Sequence, residues 1–188
     1  MAQSVLENAP DSFALAGLSM GGILAFEIWR QSPERVTHLA LIDTNPYADT
    51  EQKRQTRLEQ IQIAMQGGLR EMAIESLKPM YLAEANRDNE EILNTLLDMA
   101  LDLGPDVFQR QSVALRERAN SVATLKTIDR PAAVICGEED RLCPVELHEL
   151  MADQIPDATL TVVKDCGHLA TLEQPAVVNQ VLADLLAK

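Results

Sequence analysis

The chain has 188 residues, 46% of them hydrophobic, which is enough to build one domain with a buried core. The formal net charge of −13 argues against nucleic acid or an anionic membrane as a partner, because both require a basic surface. No apolar run of about eighteen residues predicts a membrane span, and the first residues lack a secretory pattern, so we expect a cytoplasmic protein.

The first predicted strand is the apolar run Phe13–Ala16, which leads into the glycine-rich stretch 17–22. A serine held at a sharp turn from strand to helix projects from that turn, and a Cβ at Gly17 or Gly21 is expected to collide with neighbouring backbone. The following helix points its positive N-terminal end at the serine. The pattern predicts that Ser19 is a nucleophile, although such a motif alone also occurs by chance.

A second strand is predicted at 38–42, another almost continuous apolar run, which Asp43 and the polar residues after it terminate. Two buried strands joined through a helix form a βαβ unit, so the strands should be parallel and the crossover right-handed.

From Tyr47 to Lys126 the pattern changes to amphipathic helices without a strand-like run. Three or four helices inserted between strands indicate a cap laid over the sheet. Met65, Met80 and Tyr81 are candidates for an apolar substrate pocket in this cap, and packing between helices is the alternative role for each methionine.

The remaining chain returns to alternating strands and helices. His168 lies just beyond the last predicted strand, and Asp140 lies just beyond the strand before it. The predicted elements are a strand at 131–136, a helix at 145–154, a strand at 159–163 and a closing helix that begins at Pro175.

Ser19, Asp140 and His168 each follow a different predicted strand, and the chemistry of an open parallel sheet gathers at the carboxyl ends of its strands. A serine hydroxyl needs an imidazole to accept its proton, and the imidazole needs a carboxylate to orient it. For the acidic role Asp140 competes with Glu138, Glu139 and Asp43, of which Asp43 also follows a strand.

His38 begins a strand and His148 lies inside a helix, so we expect both to be structural or exposed. The three cysteines form an odd set, which favours reduced thiols. The three cysteines and His168 are residue types that can bind zinc, but their spacings match no common zinc pattern. We predict neither a metal nor an organic cofactor. The cysteines are Cys136, Cys143 and Cys166.

Together these features resemble the α/β-hydrolase superfamily over nearly the whole chain. Three pieces carry the resemblance: the elbow at 17–22, the strand from Pro131 that leads to Asp140, and the segment from Asp165 to Pro175. Within the superfamily the pattern is most similar to small carboxylic ester hydrolases, enol-lactonases and carbon–carbon bond hydrolases.

The resemblance implies a core formed by residues 1–46 and 127–188 with a helical cap at 47–126. It also implies a Ser19, His168 and Asp140 triad, with the backbone N–H of Met20 as an oxyanion donor. The expected function is hydrolysis of small carboxylic esters or lactones through an acyl-enzyme. Two alternatives stay open: a non-catalytic or vestigial assembly or binding protein, and a segment of a longer hydrolase.

The chain departs from the family before the elbow. Members usually place several strands and a loop with the second oxyanion donor there, whereas twelve residues precede Phe13. We therefore expect a truncated α/β fold with weakened activity and about four mostly parallel strands. These strands should lie side by side in the order in which they occur in the chain, with an open edge at Phe13–Ala16. An apolar edge favours association, so a homodimer or higher homo-oligomer that covers this strand is expected.

Overall fold

The structure is a computed structural model that describes the backbone of residues 1–188 and all side chains except those of residues 76–79. Its centre is a sheet of four parallel strands that lie side by side in chain order, which is the predicted order. The α/β fold class is thereby confirmed. The strands are β1 (Phe13–Leu18), β2 (Val36–Ile42), β3 (Ala132–Gly137) and β4 (Ala158–Val163).

Helices follow each strand and cover both faces of the sheet. Short 3-10 turns at Pro33–Arg35 and Glu84–Asn86 and wider π turns at Ala64–Gly68 and Ala73–Leu77 connect some of them. In chain order the helices are α1 (Ala2–Asn8), α2 (Met20–Gln31), α3 (Glu51–Ile63), α4 (Leu69–Met72), α5 (Lys78–Tyr81), α6 (Glu90–Arg116), α7 (Val122–Leu125), α8 (Val145–Gln154), α9 (Ala170–Glu173) and α10 (Pro175–Leu186).

Alternate residues of strand β2 pack into two different hydrophobic clusters, one on each face of the sheet. Leu39 and Leu41 of β2 pack in the cluster that includes Phe26 of α2 and residues of α8. Ala40 lies instead in a cluster with Leu185 of α10. Successive side chains of a strand point to opposite faces, so a continuous apolar run is what a strand covered by helices on both faces requires.

The strand register brings the four carboxyl ends to one edge of the sheet. Leu18 pairs with Ile42, Ile42 pairs with Ile135, and Gly137 pairs with Val163. The loops that follow the four strands therefore begin side by side, and polar residues far apart in the chain meet there.

Strand β1 lies at an open edge of the sheet, as expected from the strand order. Phe13 and Leu15 are half-buried against the core, whereas Ala14 and Ala16 on the other face are exposed. Self-association that covers this edge stays a prediction, which the molar mass in solution would test.

The segment between β2 and β3 is helical, from α3 to α7, and its helices are interrupted at two glycines. Gly67 has a φ of 92° and Gly104 a φ of 73°, a region that side chains with a Cβ rarely enter. In the part of the chain that the structure describes, no helix combines the length and the apolar character needed to cross a bilayer.

Candidate active site

Ser19 occupies the turn from β1 to α2 with a left-handed backbone conformation, φ 51° and ψ −111°. Its N–H donates to the carbonyl of Ile42 at 2.8 Å, and its own carbonyl accepts from Thr44 Oγ1 at 2.7 Å. A non-glycine residue persists in this conformation only where its surroundings enforce it. The end of β2 therefore holds Ser19 in a strained turn.

The glycines around Ser19 have different roles. A Cβ on Gly17 would overlap the carbonyl group of Gly21 and lie 2.6 Å from the nitrogen of Gly22. A Cβ on Gly22 would lie 2.5 Å from Thr44 Oγ1, but one on Gly21 would meet no atom within 4 Å. The predicted collision is therefore confirmed at Gly17 and wrong at Gly21, because Gly22 is the helical residue that packs against Thr44 in the loop after β2.

The three residues that follow β1, β3 and β4 lie within hydrogen-bonding distance in series. His168 Nε2 is 2.8 Å from Ser19 Oγ, and His168 Nδ1 is 2.8 Å from Asp140 Oδ2. The other carboxylate oxygen of Asp140 accepts from the N–H groups of Leu142 and Cys143 at 2.8 and 2.9 Å. This arrangement places a proton on Nδ1 and leaves Nε2 free to accept the Ser19 proton.

Asp43, the competing acid, has different partners. Its buried carboxylate accepts from the N–H groups of Gly137 and Ala170 at 3.0 and 2.9 Å. Burial raises the pKa of Asp43 to about 7, although the two N–H groups and the nearby imidazole of His168 act in the opposite direction. Asp43 thus joins the ends of β2, β3 and the start of α9, and Asp140 is the acid that pairs with His168.

A buried carboxylate that sequence reasoning did not single out fixes the loop that carries His168. Glu173 accepts from the N–H of Gly167 at 2.9 Å and from the N–H of Ala83 at 2.9 Å. The N–H of His168 donates to the carbonyl of Tyr81 at 2.6 Å. The histidine loop is therefore bonded to the last residue of α5 and to Ala83 just after it, although these residues are far apart in the sequence.

His148 is fully buried and supports the loop after β2. Its Nε2 accepts from the N–H of Thr44 at 2.9 Å, so Nδ1 carries the proton that is donated to the carbonyl of Pro144 at 3.2 Å. Burial lowers the pKa of His148, which favours this neutral form. His38 is half-buried beside Thr37. Both histidines have the structural settings that the sequence led us to expect.

A cavity of about 270 Å³ opens beside Ser19, and Met20 and Tyr81 are among its lining residues. The Tyr81 ring centroid lies 5.7 Å from that of His168. Met65 and Met80 do not line this cavity, and they are 47% and 39% exposed. The prediction that these two methionines line the substrate pocket is therefore wrong for this cavity. The spacing of apolar residues predicts a helix, but it does not predict which way that helix turns after a break.

Met20 is the first residue of α2, so its N–H has no acceptor inside the helix. It lines the same cavity as Ser19. The positive N-terminal end of α2 therefore lies at this cavity.

Asp140, Cys143 and His168 form the one group of three possible metal ligands among the described side chains, with ligand atoms within 4.8 Å of one another. Two of these groups already share a hydrogen bond. Burial raises the pKa of the Cys143 thiol to about 12, so the thiol is protonated near neutral pH. The contacts fit a hydrogen-bonded network of Asp140 and His168 with a packed thiol beside it.

The chain is similar in sequence to known hydrolases over most of its length. The chain is 30% identical over 180 residues to a 2-hydroxy-6-oxononadienedioate/2-hydroxy-6-oxononatrienedioate hydrolase from Paraburkholderia phymatum, covering 93% of the chain and 62% of that protein. It is 26% identical over 185 residues to a pimeloyl-[acyl-carrier protein] methyl ester esterase from Aromatoleum aromaticum, covering 92% of the chain and 73% of that esterase.

Solved structures agree in fold. A thermophilic esterase from Thermogutta terrifontis superposes with a TM-score of 0.89 at 30% identity over 94% of this chain and 65% of that one. An enol-lactonase from Burkholderia xenovorans gives a TM-score of 0.83 at 19% identity over 95% and 66% of the two chains, which shows the fold alone. The family model described as "Alpha/beta hydrolase family" matches residues 2–181, so the predicted resemblance is confirmed and the chain belongs to the alpha/beta hydrolase family.

Proposed function

We propose that the chain is a serine hydrolase of small carboxylic esters or lactones, with Ser19 as the nucleophile. The observation that carries the proposal is the series of two 2.8 Å contacts from Ser19 Oγ through His168 to Asp140. The strained turn at Ser19 adds support, because strain of this kind concentrates at functional sites. Relatives named as a hydrolase and as a methyl ester esterase support the same reaction class.

In the proposed reaction Ser19 Oγ attacks the substrate carbonyl carbon while His168 Nε2 accepts the hydroxyl proton. The carbonyl electrons move to oxygen, where the N–H of Met20 would donate a hydrogen bond to the oxyanion. The bond to the alcohol oxygen then breaks and His168 returns the proton to that oxygen. Water, deprotonated by the same imidazole, attacks the acyl-enzyme and releases the acid and Ser19.

The proposal is tested by hydrolysis of p-nitrophenyl butyrate by the purified wild type and its Ser19→Ala variant. The expected result is release of p-nitrophenol by the wild type and a rate at least about a thousandfold lower in the variant, because the covalent step is lost. Equal rates in the two proteins would instead support the non-catalytic alternative.

A further inference from the structure

The described lining of the cavity beside Ser19 contains one charged side chain, which is basic although the protein is acidic overall. Arg57 is the one residue with a formal charge among its twelve described lining residues. A neighbouring cavity of about 300 Å³ shares Tyr81 and Ala100 with it, and Arg70 is the one charged residue described there. Acidic residues outnumber basic ones 29 to 16 in the chain, so the charge of these cavities is opposite in sign to the net charge of the protein.

A buried carboxylate binds Arg57 through Nε and not through its terminal nitrogens. Its Nε donates to Asp49 Oδ2 at 2.5 Å, and the Asp49 carboxylate, which is fully buried, also lies 2.9 Å from Arg118 Nη2. Two guanidinium groups thus share one carboxylate, which leaves a net positive charge. No hydrogen bond joins the terminal nitrogens of Arg57 to any other described side chain.

Tyr81 connects this positive charge to the reacting residues. The Tyr81 ring lies beside the His168 ring, with 5.7 Å between centroids, and Tyr81 lines the cavity together with Arg57 and Ser19. Burial raises the pKa of the Tyr81 phenol, and the charge of Arg57 acts in the opposite direction, as expected for neighbouring groups. A molecule in this cavity can therefore face Ser19 and the Arg57 guanidinium together.

We propose that Arg57 binds a carboxylate on the acyl part of the substrate, so that the preferred ester is a monoester of a short dicarboxylic acid. The inference rests on the function proposed above and names its substrate class. The terminal nitrogens of Arg57, which carry no hydrogen bond to another described residue, can donate to the two oxygens of a substrate carboxylate while Nε stays bound to Asp49. A single cationic residue matches one extra carboxylate rather than a polyanion.

The matched substrates are monomethyl adipate and methyl hexanoate, which differ only in the carboxylate or methyl group at the far end of the acyl chain. Methanol release gives kcat/KM for each ester. Wild type should prefer the adipate, and Arg57→Gln should lower the adipate-to-hexanoate ratio by about tenfold to a hundredfold, the range for a charge-assisted hydrogen bond. A ratio within threefold of wild type would overturn the inference.

Two further variants separate charge from structure. Arg54→Gln removes the same charge from the same helix, at a residue that does not line the cavity, and should leave the ratio unchanged. Arg57→Lys should keep part of the preference. Because the ratio compares two substrates of one sample, it is independent of the fraction of correctly folded protein.

A binding measurement decides the inference even where no hydrolysis occurs. If wild type releases methanol from neither ester faster than Ser19→Ala does, the affinity of the site becomes the test, whereas the proposed function stands or fails with p-nitrophenyl butyrate. Calorimetric titration of Ser19→Ala with monomethyl adipate should show binding, and the Ser19→Ala, Arg57→Gln double variant should bind at least about tenfold more weakly. Equal affinities, or no binding to Ser19→Ala, would overturn the inference.

Discussion

Replacement of His168 by alanine is expected to lower kcat for p-nitrophenyl butyrate by about 10⁶-fold, which is the loss seen when the base of a serine triad is removed. His168 Nε2 is the acceptor within 2.8 Å of Ser19 Oγ, so the variant leaves the hydroxyl without a base. Because His168 is buried, the change also opens a space that added imidazole could enter, and partial recovery with imidazole is expected.

The matched control is His38→Ala, which removes a half-buried histidine at the start of β2, away from the carboxyl ends of the strands. This variant should retain kcat within about twofold, since surface substitutions seldom alter a distant site. Retention of more than a tenth of wild-type kcat by His168→Ala would contradict the role assigned to the imidazole.

Gly17→Ala is expected to lower the free energy of unfolding by about 3 kcal/mol or more, because the new methyl group would overlap backbone atoms. The Cβ would lie 2.4 Å from the carbonyl carbon and oxygen of Gly21 and 2.6 Å from the nitrogen of Gly22. Neither position can give way without moving α2 away from β1, and Ser19 lies between them. Loss of activity should therefore accompany the loss of stability.

Gly21→Ala is the control that this site itself provides. A Cβ there meets no atom within 4 Å, and alanine is a better helix former than glycine by about 1 kcal/mol. Urea unfolding followed by circular dichroism should show Gly21→Ala to be as stable as wild type or more stable. Equal destabilisation by the two substitutions would contradict the claim that Gly17 is required for the close packing of α2 on β1.

The order of the strands could be predicted from the sequence, and so could the proximity of the residues that follow them. Each strand is a short apolar run, and a parallel sheet brings the residue after each run to one edge. For that reason Ser19, Asp140 and His168 could be named together before any distance was known. Asp43 was a reasonable competitor, since it follows β2 in the same way, and only its contacts with Gly137 and Ala170 separate it from Asp140.

The helical segment was less predictable. Its apolar spacing indicates helices, but the breaks at Gly67 and Gly104 redirect each helix, so the residues that reach Ser19 do not follow from periodicity. Met65 is exposed, whereas Arg57 lines the cavity. The bond from the N–H of Ala83 to Glu173 was also out of reach, because no local pattern reports a contact across ninety residues.

The central claim is that Ser19 is an activated nucleophile, and covalent trapping tests it most directly. Diisopropyl fluorophosphate reacts with a serine oxygen that a neighbouring base has activated, and the modified residue is identified by mass spectrometry of the digested protein. The account predicts a single adduct on the peptide that contains Ser19, and no adduct in Ser19→Ala. An unmodified Ser19 in folded wild-type protein, or modification of another serine, would contradict it.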